Sequence, residues 1–448
     1  MSSGGAVESL EELGRFVATF RWDTADQELR EQLVKTLLDT LGVMIAGGQL
    51  PEVRALAAAW APQDGPSRLF GFGRTAGTGA AAYLNGVSAV TLELDEGNKY
   101  ARGHPASHAF PAALAVAQER NASGPELAAA LVVGYETASR FGRATRLNSG
   151  VHPHGNWGVA GAAAAVSRLM GLGPDAVAAA LDAAGGMALA TPFESALVGN
   201  FVRNAWVGAA NHSGLVAARM AAAGIAAVDG TPSATLGGIL GAFDPDELTE
   251  DLGQRFDLEN GYFKRHASCS YTHPPADAVL NILAENPGIR PEQVSSVLVE
   301  THEVAATLDL TVTPTRLAAM FSIPYVVAAA ILERNCRPAV FDDEHREDPT
   351  TRRLMSATRV VATEEFDRRL PEERGARVTL TLRDGSSLVS EVPNPVGDVA
   401  YKPFGLAEIR EKVDPLLEPA GIDAATLEGT VRGLLEAGNV NEALVDVP

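Results

Sequence analysis

The sequence is poor in cysteine, in positive charge and in long apolar runs, and each shortage excludes something. Cys269 and Cys336 are the only cysteines in 448 residues. Two thiols support neither a disulfide framework nor the cysteine ligation of an iron–sulfur cluster. Lys and Arg number 36 against 56 Asp and Glu, which leaves a formal charge of −20. Phosphate contacts dominate nucleic-acid affinity, so so acidic a chain argues against nucleic-acid partners and against anionic membrane surfaces. No clean apolar run reaches the ~20 residues that span a bilayer. The Ala-rich runs are broken by Arg168 and Asp182. The opening "MSSGGAVESLEEL" has neither a basic nor an apolar targeting segment. The expectation is a cytoplasmic protein without membrane contact.

What is present is a large stock of core-forming residues, 46% of the chain. From about Leu10 to Gly241 the apolar residues recur at helical spacing, as at Leu33, Leu37, Leu38 and Leu41. These segments are rich in Ala and Gly, and small residues let helices approach closely. Near residue 265 the pattern changes. "VSSVLVETH", "TRVVATEEF" and "ARVTLTLRDGSSLVSEVP" alternate with β-branched residues, the last around an Asp384-Gly385 turn. Helices are expected around 275–286 and 322–333, between these strands. The reading is mainly α: a helical domain at 1–264 and 398–448, with a smaller α+β lid at 265–397 that holds all the strands. Interdomain clefts commonly hold sites.

Four stretches put cationic or imidazole groups at helix entrances. In "LELDEGNKYARGHPASHAFPAALAVAQ", Glu93, Lys99, Arg102 and His104 precede a helix expected to begin near 109–111. Free N–H groups at such a start favour anions. In "SGVHPHGNWGVAGAAAA", His152, His154 and Asn156 precede a small-residue helix. "GNFVRNAWVGAANHSG" carries Arg203, suited to a bidentate carboxylate contact. "GYFKRHASCSYTHPPADAVLNI" gathers Lys264, Arg265, His266 and His273. Each stretch has a plainer reading, as a solvated loop, a helix cap or an interhelix ion pair. Cys269 could pass for a nucleophile, but without a lowered thiol pKa it reads as a small packing residue. The scattered histidines make no recognisable metal ligand set. Taken together, the four suggest a positive pocket in a negative protein, suited to a small di- or tricarboxylate and to acid–base work by histidine.

The order "LELDEGN…HP-S", "GYETASRFGRA", "HPHGNWGVAGAAAAVSRLMGL", "VRNAWVGAANHSGLVAARMAAAG", "KRHASCSYTHPPADA" and "MFSIPYVVAAAIL" resembles the MmgE/PrpD family from about Leu10 to Lys402. That family includes 2-methylcitrate dehydratase, cis-aconitate decarboxylase and iminodisuccinate epimerase. The resemblance implies a helical domain with an α+β lid, a homodimer, and chemistry without metal or organic cofactor. It places His104, His152, Lys264 and His273 at motif positions. It also exposes departures: Glu93 replaces an aspartate, Gly97 a threonine, Arg203 a lysine, and His154 and Asn156 stand where the family carries threonines.

The expectation is therefore an enzyme, a lyase of the 2-methylcitrate dehydratase type, removing a proton alpha to a carboxylate. His104 and His152 would be base and acid in either order. Lys264, Arg203 and Arg102, with Lys99, would hold carboxylates and stabilise enolate-like charge. Glu93 would orient an imidazole or bind a substrate hydroxyl, and His154, Asn156 and His273 would complete the binding set. An isomerase, epimerase or decarboxylase acting on a related dicarboxylate is the alternative enzyme. A catalytically silent metabolite-binding relative is the alternative of another class.

Overall fold

The computed structural model describes residues 3–448. Its first part is a stack of helices: α1 (Ser3–Thr19), α2 (Gln27–Gly48), α3 (Pro51–Trp60), α4 (Thr78–Thr91), α5 (Pro105–Glu119), α6 (Gly124–Ala144), α7 (Val159–Leu169), α8 (Pro174–Gly186), the short α9 (Glu194–Leu197) and α10 (Val202–Ala222). Their starts follow local chemistry. Asp26 accepts the Leu29 N–H ahead of α2, and Ser123 with Glu126 forms a reciprocal capping box ahead of α6. Helix α5 is buried along all of Pro105–Gln118, so it runs through the middle of the stack. Small residues set the close spacing. A methyl group added at Gly161 on α7 would lie 2.7 Å from the Gly134 carbonyl on α6 and 2.6 Å from Ala138. Overpacking of that kind costs ~1–3 kcal/mol or more.

The later part carries α11 (His273–Glu285), the short α12 (Glu303–Ala306) and α13 (Arg316–Met320), α14 (Ile323–Glu333), α15 (Asp343–Glu347), α16 (Pro349–Ser356) and α17 (Glu364–Asp367), then α18 (Leu406–Leu417) and α19 (Ala424–Glu436). The described residues also form ten strands: β1 (Ser67–Leu69), β2 (Arg74–Ala76), β3 (Gly97–Asn98), β4 (Thr145–Leu147), β5 (Gly241–Phe243), β6 (Gly261–Tyr262), β7 (Val294–Thr301), β8 (Thr358–Ala362), β9 (Ala376–Leu382) and β10 (Ser387–Val392). The last four form one sheet in the order β10-β9-β7-β8, with only β7 and β8 parallel. Val297, Val299, Val378 and Leu380 on this sheet share a core with Val279 and Ile282 of α11 and Val326 and Val327 of α14. The fold is mainly α with one small sheet region, as the patterns indicated. Helices α18 and α19 return to a different core, where Ile409, Val413 and Val431 join Leu33, Leu37 and Leu41 of α2.

Three expectations need correction. Strands are not confined to 265–397, because β1–β2, β3–β6 and β4–β5 form two-stranded ribbons outside it. Each is two or three residues long, and β3–β6 and β4–β5 join segments about a hundred or more residues apart. Alternation cannot develop over so short a span. Helix α11 precedes every strand of the main sheet instead of lying between two of them. Helix α5 begins at Pro105, with His104 as its N-cap residue, rather than near 109–111. Proline suits that first position because its missing N–H would be unpaired there anyway. Among the described residues no single helix is long and apolar enough to cross a bilayer.

Candidate active site

A cavity of about 880 Å³ opens where the 93–104 strip, the 145–154 loop, the start of α10 and the 262–271 segment meet. Glu93, Lys99, Arg102, His104, His152, His154, Arg203 and Lys264 all line it. Two nominated residues do not. Asn156 lies behind the wall, where its Nδ2 donates to the His152 carbonyl at 2.7 Å. His273 is buried elsewhere, its Nε2 bonded to the Ser268 carbonyl at 3.1 Å and its ring 4.9 Å from that of His266. His266 in turn meets Asp277 at 3.0 Å. Of the fourth stretch's cationic and imidazole groups, only Lys264 reaches the cavity.

The acids of the opening strip divide their work. Glu93, whose backbone is left-handed at φ 51°, forms an ion pair with Arg203 and a 3.4 Å contact with Lys264. It therefore orients cations; no imidazole contact of Glu93 is formed. That task belongs to Asp95, which lies 3.0 Å from His104 Nδ1 and 3.3 Å from Lys264. Glu96 accepts the Ala106 N–H at 2.6 Å, so it occupies the α5 N-terminus expected to receive a ligand anion. Burial pushes the Glu96 carboxyl well up, and Asp95 and Asp39 add to the shift. Burial works against charge on Asp95, but the Lys264 and Arg203 cations, with the His104 N–H beside it, hold this carboxyl below its ordinary value. For Lys264, burial opposes the charge and Asp95 and Glu93 more than restore it.

Arg203 and Lys264 are thus fully buried and already matched by two carboxylates, rather than standing free for substrate. Lys99 is likewise engaged, 3.0 Å from Asp398 and 3.1 Å from the Glu372 carbonyl. Asp398 also takes Arg374 at 3.1 Å. The pattern alone nominated neither Asp95 nor Arg374, although both belong to the site. The place of Asp95 in the same acidic strip, two residues after Glu93, was the available signal. Arg374 comes from a charged loop with no such mark.

The imidazoles form a packed group. The His154 ring lies 5.3 Å from His104, 5.3 Å from His108 and 4.5 Å from His152, each edge to face. Among the described residues, no three His, Cys, Asp or Glu side chains converge in a metal-ligand cluster. Burial, ahead of the nearby cations, keeps these rings neutral. His104 is pushed down to about 3 and His108 to about 4, with His152 and His154 well below the usual value. A neutral ring has one N–H and one lone pair, and the partners decide which is which. His104 Nδ1 faces two acceptors, the Glu96 carbonyl at 2.5 Å and Asp95. It must carry the hydrogen, which leaves the lone pair on Nε2. His152 Nδ1 accepts the His154 N–H at 3.1 Å, so its hydrogen sits on Nε2. His154 Nε2 lies 3.4 Å from Arg203 Nη2, and its buried Nδ1 has no partner.

Two departures from the family pattern acquire reasons here. A side chain at 97 would put its Cβ 2.4 Å from the Tyr262 hydroxyl, so Gly97 is what lets that ring lie on the cavity wall. Arg203 spans Glu93 and His154 at once and stacks 5.3 Å from the Phe321 ring. A lysine has no planar fork with which to do so. Cys269 also lines the cavity, but burial raises its thiol to about 11, so it is no thiolate nucleophile.

Family models for the MmgE/PrpD N-terminal domain and the MmgE/PrpD C-terminal domain match residues 11–250 and 266–432. The chain is 26% identical over 417 residues to the cis-aconitate decarboxylase of Aspergillus terreus, an alignment covering 86% of this chain and 85% of that protein. It is 28% identical over 474 residues to the cis-aconitate decarboxylase-like protein oryM of Aspergillus oryzae, covering 97% and 96%.

Proposed function

The chain belongs to the MmgE/PrpD family, and from that premise we propose a lyase that removes a proton alpha to a carboxylate of a small polycarboxylate, dehydrating it in the manner of 2-methylcitrate dehydratase. The observation that carries the reading is the opposite tautomers of two histidines on one cavity wall. His104 offers a lone pair at Nε2 and His152 offers a hydrogen at Nε2. One ring takes a proton while the other gives one, and dehydration requires that pairing.

In this scheme His104 Nε2 takes the proton from the carbon beside a carboxylate. The C–H electron pair becomes the new C=C bond, the C–O bond breaks, and the hydroxyl leaves as water with the proton from His152. The imidazolium formed at His104 stands against Asp95, which is held ionised for it. A carboxylate behind the imidazole fixes the ring and stabilises its charged form, as in serine-protease triads. Positioned acids and bases contribute ~10²–10⁴ each. Lys264 and Arg203 serve by holding Glu93 and Asp95, the carboxylate beside His104, in place.

Decarboxylation is the second reading, favoured by the likeness to the cis-aconitate decarboxylase of Aspergillus terreus. Both reactions need a proton donor at His152; they differ in whether carbon dioxide or water leaves. Proton spectra of citrate, 2-methylcitrate, cis-aconitate and malate incubated with the enzyme in D2O separate them. The proposal expects a hydration–dehydration interconversion with deuterium at the alpha carbon and no carbon dioxide. Carbon dioxide release with a new terminal alkene would replace it by the decarboxylase. Deuterium on an otherwise unchanged or inverted skeleton would mean an isomerase. No exchange with any of them, despite binding, would mean a silent relative.

A further inference from the structure

We propose that Arg102 and Arg146, at the mouth of the cavity, form a clamp for the remote carboxylate of the substrate while the reacting carbon lies between His104 and His152. This rests on the polycarboxylate reading and names where the second anionic group goes.

The charges of the cavity wall point to the mouth. Six Lys and Arg side chains line it against three Glu, in a chain whose formal charge is −20. Most of those cations are already used. Arg203 and Lys264 are matched by Glu93 and Asp95, and Lys99 and Arg374 share Asp398. A substrate carboxylate driven in among the first four would compete with two carboxylates already desolvated there, and breaking such buried pairs is costly. Arg102 and Arg146 differ. Both are exposed, and among the described residues neither has an acidic partner. The acids nearest in the wall, Glu194 and Glu303, pair with neither of them, and Glu247 is taken by Arg143.

The two arginines are also held in place. Arg102 Nη1 donates to the carbonyl of Thr145 at 3.0 Å, the residue just before Arg146. Arg146 lies within β4, paired with Ala242 of β5. The Arg102 loop is fixed by Asn98, whose side-chain oxygen accepts the N–H groups of Tyr100 and Ala101, and it closes through an Asn98–Gly103 backbone pair. Arg102 itself has a left-handed backbone at φ 56°. Partial burial and then the charge of Arg146 lower the Arg102 guanidinium from its ordinary value, the sign of two like charges kept close. An incoming carboxylate relieves that repulsion and takes paired N–H donors from both.

Tricarballylate, which has three carboxylates and no leaving group, is the probe. Calorimetric titration into the wild-type protein, Arg146→Gln and Arg102→Gln should give affinities about tenfold or more weaker in each variant, the usual worth of a charge-assisted contact. Raising the salt concentration should weaken the wild type more than Arg146→Gln, because one charge contact is gone. The melting temperature of Arg146→Gln should match the wild type, since among the described residues its side chain makes no hydrogen bond or ion pair, whereas Arg102→Gln loses the bond to the Thr145 carbonyl. If both variants bind tricarballylate like the wild type, the clamp is overturned and the polycarboxylate reading stands. If the wild type binds none of tricarballylate, citrate and cis-aconitate at millimolar concentration, the reading itself falls and the clamp with it.

Discussion

His104, His152 and His154 face an open cavity, whereas His266 and His273 pack against each other outside it. The two groups share spelling and burial. His104, His152 and His273 are each followed by proline, and all five rings are almost sealed from solvent. What separates them is where the ring nitrogens go. His273 gives Nε2 to a backbone carbonyl and His266 gives its own to Asp277, so their polarity is consumed within the fold. His104 and His152 satisfy Nδ1 locally and, among the described residues, have no partner for Nε2. A buried histidine is therefore structural or chemical according to its second nitrogen, not its neighbours in sequence.

The sharpest test of that contrast is substitution. His104→Ala and His152→Ala should each lower kcat by about 10²–10⁴, the share of a positioned acid or base. His273→Ala should leave kcat within a few-fold of wild type, because its ring meets no substrate. It should instead cost about 1–3 kcal/mol of stability in urea melts, from the Ser268 carbonyl left unpaired and the space left empty. A His273 variant as inactive as His104→Ala would erase the distinction. Next in size, Lys264→Met strands Glu93 and Asp95 beside one remaining cation. Breaking a buried ion pair costs about 3–5 kcal/mol, so the variant should melt early before any assay is possible.

pH acts on His273 as it does on the cavity histidines and His108. Their unfolded pKa is near 6.5, while His104 folds at about 3, His108 at about 4, and His152, His154 and His273 well below the ordinary value. Between pH 6.5 and 4 the unfolded chain binds more protons than the folded one, so stability falls as pH falls. Each such histidine contributes a slope of about 1.4 kcal/mol per pH unit. Asp95, whose carboxyl is also held down, has the same sign but loses its contribution only as pH falls below the ordinary carboxylate value, while the raised Glu96 and Glu136 carboxyls act the other way without matching the number of such histidines. Denaturant midpoints measured from pH 7.5 to 5 should therefore drop steadily, and a flat profile would mean charged rings in the folded state. The smallest effect concerns Cys269. Its thiol is raised to about 11, so Cys269→Ser should keep kcat within about twofold and the native thiol should react slowly with iodoacetamide.

The periodic parts of this molecule were legible. Helical spacing marked α2 and the Ala-rich helices, and alternation with the Asp384-Gly385 turn marked β7 to β10, because those signals repeat over many residues. The ribbons β3–β6 and β4–β5 were not, since tertiary pairing alone makes them. The start of α5 was misplaced because its cap, Glu96, reaches from ten residues upstream. At the site, residue types pointed to the strip, His104, His152, His154, Arg203 and Lys264, which line one cavity, and also to His273, which does not. Their partners were not legible. Nothing local says that Glu93 meets Arg203 from another helix, or that Asp95 rather than Glu93 meets His104. Lys99 looked free on a loop and proves to be locked onto Asp398, which lies some three hundred residues away.

The central claim is that His104 and His152 are neutral rings of opposite tautomer. Long-range nitrogen–proton correlation spectra of protein labelled with ¹⁵N-histidine, with single-histidine substitutions for assignment, read this directly near neutral pH. The account predicts His104 protonated at Nδ1 with a lone pair at Nε2, and His152 protonated at Nε2 with a lone pair at Nδ1. The same tautomer at both positions, or an imidazolium at either, would contradict it.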